Sequence, residues 1–175
     1  MYNSSFEQSL PHNWNRYATG TQHSFTYPEY GYNGGKSIAI EYKYPILEPG
    51  KKAYWYQHIP IDPLKTYSIW GNVRTCNVSS TTYGVIFEID WKDTNGTYIS
   101  NINISGWLKG TIDWRTYSLS NITPPTNARY ATIVLMLQDA SGKVWFDNVI
   151  MKQISTNQNK LSNSYFDSEY PSNWN

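Results

Sequence analysis

No long stretch of this chain keeps apolar residues at the 3.6-residue spacing of a helix, while two-residue alternation bounded by turn residues recurs throughout. Residues 37–43 alternate, with Ile38, Ile40 and Tyr42 on one face. Residues 66–76 set Tyr67, Ile69, Gly71 and Val73 against Ser68, Trp70, Asn72 and Arg74. Residues 83–92 set Tyr83, Val85, Phe87, Ile89 and Trp91 against Ile86, Glu88 and Asp90. Further strands are predicted at 24–27, 53–61, 98–104, 114–119, 131–138 and 144–153, the last two joined by Asp139-Ala-Ser-Gly. Asp62-Pro-Leu-Lys and Asp93-Thr-Asn-Gly carry the residues that tight turns select. Nine or ten short strands without helices predict an all-β fold: a two-sheet antiparallel β-sandwich, in particular a jelly roll.

One long-range echo bears on domain organisation. Asn3–Asn15 (NSSFEQSLPHNWN) returns at Asn163–Asn175 (NSYFDSEYPSNWN), identical at seven of thirteen positions across an offset of 160 residues. Glu7 in the first copy becomes Asp167 in the second, so a carboxylate beside Phe is kept. The period is the size of a domain. The 175 residues therefore read as a module over 1–154, a linker over 155–162, and the start of a second tandem copy over 163–175. That second copy is expected to pack on its own module or a neighbouring chain through Phe166 or Trp174.

Charge narrows the function classes. A net charge of +1 with only 15% charged residues gives no electrostatic footprint for nucleic acid. No apolar run approaches the roughly 20 residues of a membrane-spanning helix, so no membrane insertion is expected. The single cysteine, Cys76, excludes an intramolecular disulfide and reads as an inert thiol. His12, His23 and His58 have neither metal-ligand nor triad spacing. The outlier is aromatic content: 16 Tyr and 8 Trp exceed what a core of this size needs. Exposed flat rings among polar neighbours suit the C–H faces of sugars.

The ordered set of motifs resembles the carbohydrate-binding modules of families 4, 9, 16 and 22. It runs from Asn3-Ser-Ser-Phe6-Glu7 and Trp14 through Gly35-Lys36-Ser37-Ile38, Lys65-Thr66-Tyr67, and Trp91 before Asp93 and Gly96. It continues with Trp114, Pro125 and Ala128, and closes on Gly142, Phe146, Asp147 and Val149. The resemblance covers about residues 3–154 and implies a jelly roll with a structural Ca²⁺ joining the first and last strands. Its ligands would be Glu7 and Asp147 with carbonyls near Ser5 and Lys36, oxygen donors of the kind this hard cation takes. The plainer alternative makes Glu7 and Asp147 surface acids or partners of Lys36.

In the resembled families ligands lie across the concave sheet, gripped by aromatic rings and hydrogen-bonding side chains. The residues expected opposite the core register are Trp70 and Arg74 on one strand, and Glu88, with Asp90, on the next. Trp55 and Gln57 on the preceding strand and Gln138 on the long strand join them. Arg16 falls where some relatives place a ligand-contacting arginine. Trp91, Trp114 and Trp14 are assigned to the core or seam, and Trp145 to the outer face or a module contact. Glu88 and Asp90 could pass for a glycosidase pair, but two acids on one strand do not flank a bond from opposite sides. The expectation is a non-enzymatic, extracellular module that binds a β-linked glucan, mannan or xylan. It would be tethered to other domains of a longer chain, such as a glycoside hydrolase. The competing reading is a structural or adhesive sandwich repeat without a sugar site.

Overall fold

A computed structural model describes residues 13–44 and 49–154. Ten strands are present among them, and no helix. They are β1 (Asn15–Ala18), β2 (His23–Thr26), β3 (Ile38–Tyr42), β4 (Lys52–Pro60), β5 (Tyr67–Ser79), β6 (Gly84–Lys92), β7 (Tyr98–Asn103), β8 (Gly110–Ile122), β9 (Tyr130–Gln138) and β10 (Ser141–Gln153). The first sheet has the order β1-β4-β9-β6-β7 and the second β2-β3-β10-β5-β8, antiparallel throughout. Only the β2–β3 and β6–β7 connections stay within one sheet. The chain otherwise passes from one layer to the other, the jelly-roll sandwich that the alternation predicts.

The core lies between the layers. Trp55, Val85, Phe87, Ile89, Trp91, Ile133, Leu135 and Leu137 of the first sheet meet Ile38, Ile40, Tyr67, Ile69, Val73, Val144 and Phe146 of the second. Gly71 interrupts the inward row of β5 for a steric reason. A Cβ there would sit 3.0 Å from the Phe87 ring and 3.2 Å from Val149, so the Phe87 ring fills the space a side chain would take. In β10 the register shifts between Asp147 and Ile150, with Asn148 at a φ of 54°. This bulge moves the inward set from Val144 and Phe146 to Val149 and Met151, and leaves Asp147 on the outer side. The Asp93 turn closes β6 on β7 as anticipated: its Oδ1 accepts the amides of Asn95 and Thr97 at 2.8 Å each.

The echo at 163–175, the linker, and the ligand positions Ser5 and Glu7 lie outside the described residues. Strand β1 has no counterpart in the sequence reading. It is a four-residue edge strand, mostly exposed, with no alternation to betray it.

Candidate functional site

Strand β4 alternates strictly. Ala53, Trp55, Gln57 and Ile59 point into the core, and Tyr54, Tyr56 and His58 point outward. Consecutive outward rings therefore lie side by side. Tyr54 and Tyr56 are 5.6 Å apart, Tyr56 and His58 5.1 Å, and Tyr17 of β1 extends the row at 5.1 Å from Tyr54. Next to this row, Val134 and Met136 of β9 and Ile86 of β6 make an apolar floor. Beyond it stand Glu88 and Asp90 of β6, with Asn101 of β7 behind them. Of these, Tyr54, Tyr56, His58, Val134, Met136, Glu88 and Asp90 line a groove of about 270 Å³ on the outer face of the first sheet, with Lys52 and Lys92 at its ends. Tyr17, Ile86 and Asn101 are not part of its lining.

The carboxylates are the electrostatic feature of the groove. Glu88 is only 6% exposed, and Asn101 Nδ2 donates to its Oε2 at 2.9 Å. Burial, and secondarily the neighbouring Asp90 charge, push the Glu88 carboxyl up to about 7 against the opposing pull of Asn101 and Lys52. Burial also raises Asp90, which Lys92 and Lys52 hold down. His58 shares a 2.8 Å hydrogen bond with the Thr132 hydroxyl, and burial together with Lys92 lowers its pKa. The groove thus offers flat rings on one side and close-set donors and acceptors on the other.

The residues anticipated for this role fall into four places. Glu88, Asp90 and Gln138 share the groove face, Gln138 standing opposite Lys52 and Gly84 at its end. Trp55 does not: it is 1% exposed and meets Phe25 edge-on at 5.2 Å, so it is a core residue, as is Gln57 at 4%. Trp70 and Arg74 lie on the opposite sheet, Trp70 beneath Lys152 at 5.4 Å and Arg74 3.3 Å from Asp113. Arg16 follows the inward register of β1, with its guanidinium 5.7 Å from the Phe25 ring centre. Trp91 and Trp14 are core residues as assigned, but Trp114 is half-buried on the surface, stacked at 6.2 Å on Tyr30.

Sequence reasoning missed Tyr17, Tyr54 and Tyr56. The signal for the last two was present: Ala53, Ile59 and Ile61 share the parity of Trp55, so that parity is the apolar one and the tyrosines must face out.

A second polar feature lies where the loop between β2 and β3 crosses β10. Asp147 is fully buried and accepts the Tyr32 amide at 2.7 Å. At Gly31, a Cβ would sit 2.6 Å from the Gly34 carbonyl oxygen, 2.7 Å from that of Lys36 and 2.9 Å from Asp147 Oδ2. Three oxygens therefore converge on one small cradle, and two of them come from residues named for the metal, Asp147 and Lys36. An all-oxygen donor set fits a hard cation such as Ca²⁺. Among the described residues no group of three His, Cys, Asp or Glu side chains gathers, at this cradle or elsewhere.

No protein-family model matches the chain, and no curated protein does. Many solved structures are similar in fold. The enzymatically active domain of tailspike protein 4 of bacteriophage CBA120 is similar with a TM-score of 0.62 at 21% identity, over 87% of this chain and 21% of that one. The CBM22-1-GH10 modules of Clostridium thermocellum endo-1,4-beta-D-xylanase 10B, complexed with xylohexaose, give 0.58 at 17%, over 85% and 27%. The CBM22-1 xylan-binding domain of Paenibacillus barcinonensis Xyn10C gives 0.59 at 15%, over 86% and 91%. The chain spans little more than a fifth to a quarter of the first two and nearly all of the third. At these identities the likeness is one of fold, and the fold is the β-sandwich of carbohydrate-binding modules.

Proposed function

We propose that this chain is a non-catalytic carbohydrate-binding module of an extracellular multidomain protein. It takes a β-linked plant-type polysaccharide, a glucan, mannan or xylan, into the groove of the first sheet. The observation that carries this reading is the pairing of Tyr54 and Tyr56 with Glu88 and Asp90 across one groove, Tyr17 extending the row of rings and Asn101 hydrogen-bonding Glu88. Pyranose rings stack their C–H faces on the tyrosines. Vicinal hydroxyls donate to the two carboxylates, and Lys52, Lys92 and His58 supply donors in return.

The same geometry argues for binding without turnover. Glu88 and Asp90 project from one face of one strand, so they approach a sugar from the same side, whereas hydrolysis needs carboxyl groups on both sides of the bond. Ca²⁺, where bound, is structural. Asp147 and the Lys36 carbonyl would hold it with Glu7 and the Ser5 carbonyl, tying the loop before β3 to β10. Tethering to a catalytic or adhesive domain is supported by the module's likeness to parts of larger proteins.

Affinity electrophoresis of the chain through gels containing soluble β-glucan, mannan or xylan tests the proposal. Retardation in at least one gel, reduced in a Tyr54→Ala/Tyr56→Ala variant and unaltered in Trp70→Ala, is the expected result. Free migration in all of them would favour the structural or adhesive repeat instead.

A further inference from the structure

The outer face of the second sheet carries an aromatic surface that the groove does not use. Tyr30, in the loop after β2, is 43% exposed and stacks on Trp114 of β8, with the planes 28° apart. Its other edge meets Trp145 of β10 at 6.0 Å. Trp145 is only 8% exposed, covered by Tyr30, Arg74 and Lys143. It floors a depression of about 440 Å³ whose rim includes Tyr44, 56% exposed, and Asn77, so Tyr30 and Tyr44 are the rings this face presents to solvent. Trp114, Tyr30, Trp145 and Tyr44 thus mark a band across the sheet.

Most charges in this band are matched within it, Lys43 on the rim of the depression being the exception among the described residues. Arg74 lies over both Tyr30 (4.7 Å) and Trp145 (5.0 Å) while reaching Asp113 at 3.3 Å, and Lys143 lies over Trp145 while reaching Glu41 at 3.5 Å. Internally paired charges project little net field, and with the Asn77 amide they offer many hydrogen-bonding groups around flat rings. An apolar protein partner would leave those ion pairs dehydrated at a cost. A neutral glycan replaces water with hydroxyls and stacks on the rings.

We propose that this band is a second glycan-binding surface, on the face opposite the groove, so that one module can hold two polysaccharide chains. The proposal rests on the glycan-binding reading of the groove, and it adds a consequence: a monomeric module bridges polymers. Two sites on opposite faces cannot reinforce each other on one straight chain, but they cross-link a network of chains.

The test uses the full chain and three variants: Tyr54→Ala/Tyr56→Ala in the groove, Tyr30→Ala/Tyr44→Ala on the band, and all four together. Tyr30 and Tyr44 are exposed but Tyr30 also covers Trp114 and Trp145, so the band variant should melt somewhat below the parent while still unfolding cooperatively. In gels of the polysaccharide that retards the parent most, each double variant should keep partial retardation, losing about three- to tenfold in affinity per ring removed. The quadruple variant should run free. Beads coated with that polysaccharide should be agglutinated by the monomeric parent and by neither double variant. Loss of all retardation in the groove variant would overturn the second surface while leaving the groove reading intact, and so would agglutination by the band variant. Free migration of the parent in every gel would overturn both.

Discussion

At the scale of single residues the groove works through parity. One strand sends Trp55 inward and Tyr54 and Tyr56 outward, and a slip of one position exchanges those roles. Tyr56→Ala should weaken glycan binding about three- to tenfold, with little change in melting temperature, since the ring is not part of the main core. Titration calorimetry with a soluble oligosaccharide and a thermal melt check both halves. Glu88 makes a pH-dependent contribution of definite sign. Its folded pKa of about 7 lies above its ordinary 4.5, so the unfolded chain releases this proton first as pH rises. The penalty for burying the charged form is absent below about 4.5, grows between 4.5 and 7, and is complete above 7. Glu88→Gln should therefore raise the melting temperature at pH 8 more than at pH 4.5. An equal shift at both values would show that burial does not perturb the carboxyl. In the intact protein, affinity for a glycan whose hydroxyls donate to Glu88 should rise as pH passes through about 7, and the glutamine variant should bind more weakly without that rise.

At the scale of elements, the strands were legible where the apolar residues keep one parity. Strands β3, β5 and β6 carry the inward sets that the alternation predicts except for Tyr83, which precedes β6 and is 40% exposed. Strands β3 and β6 bury residues of the other parity as well, among them Ala39, Ile86 and Glu88. Strand β4 was harder: aromatic residues stand on both sides, and tryptophan alone does not tell which face is solvated. Trp114 was misplaced for a related reason. Its burial comes from Tyr30 and Tyr32, delivered by a distant loop, and a strand's own sequence does not encode what folds over it. That loop is also tightly constrained at Gly31. Gly31→Ala would drive a Cβ against two carbonyl oxygens and Asp147 Oδ2, none of which can swing away freely. It should lower the melting temperature and, if the cradle holds Ca²⁺, abolish any calcium-dependent gain. Differential scanning fluorimetry with and without added Ca²⁺ reads both effects. Gly71→Val tests the sandwich seam. Overpacking against the Phe87 ring should cost about 1–3 kcal/mol, measured by denaturant unfolding.

At the scale of the whole molecule, the chain is a two-layer sandwich with most of its candidate binding residues on the outer faces. The split of Glu88 and Gln138 from Trp70 and Arg74 follows from this plan: side chains opposite the core register share a character in sequence but end on two separate surfaces. Sequence alone shows that such residues face out, while the assignment of strands to sheets decides which of them meet. A cation that binds only the folded module stabilises it by mass action, so excess chelator should lower the melting temperature of the full chain. An unchanged melt would argue that Asp147 is held by amides such as those of Tyr32 and Asn148 with no bound metal ion.

The central claim is that the first sheet's groove receives the glycan. The most direct measurement is a ¹H–¹⁵N amide titration of the full chain with the oligosaccharide of the polysaccharide that retards it. The account predicts saturable shifts at Tyr54, Tyr56, Glu88, Asp90 and Thr132, absent in the Tyr54→Ala/Tyr56→Ala variant. Saturable binding that leaves these five amides unmoved would contradict it.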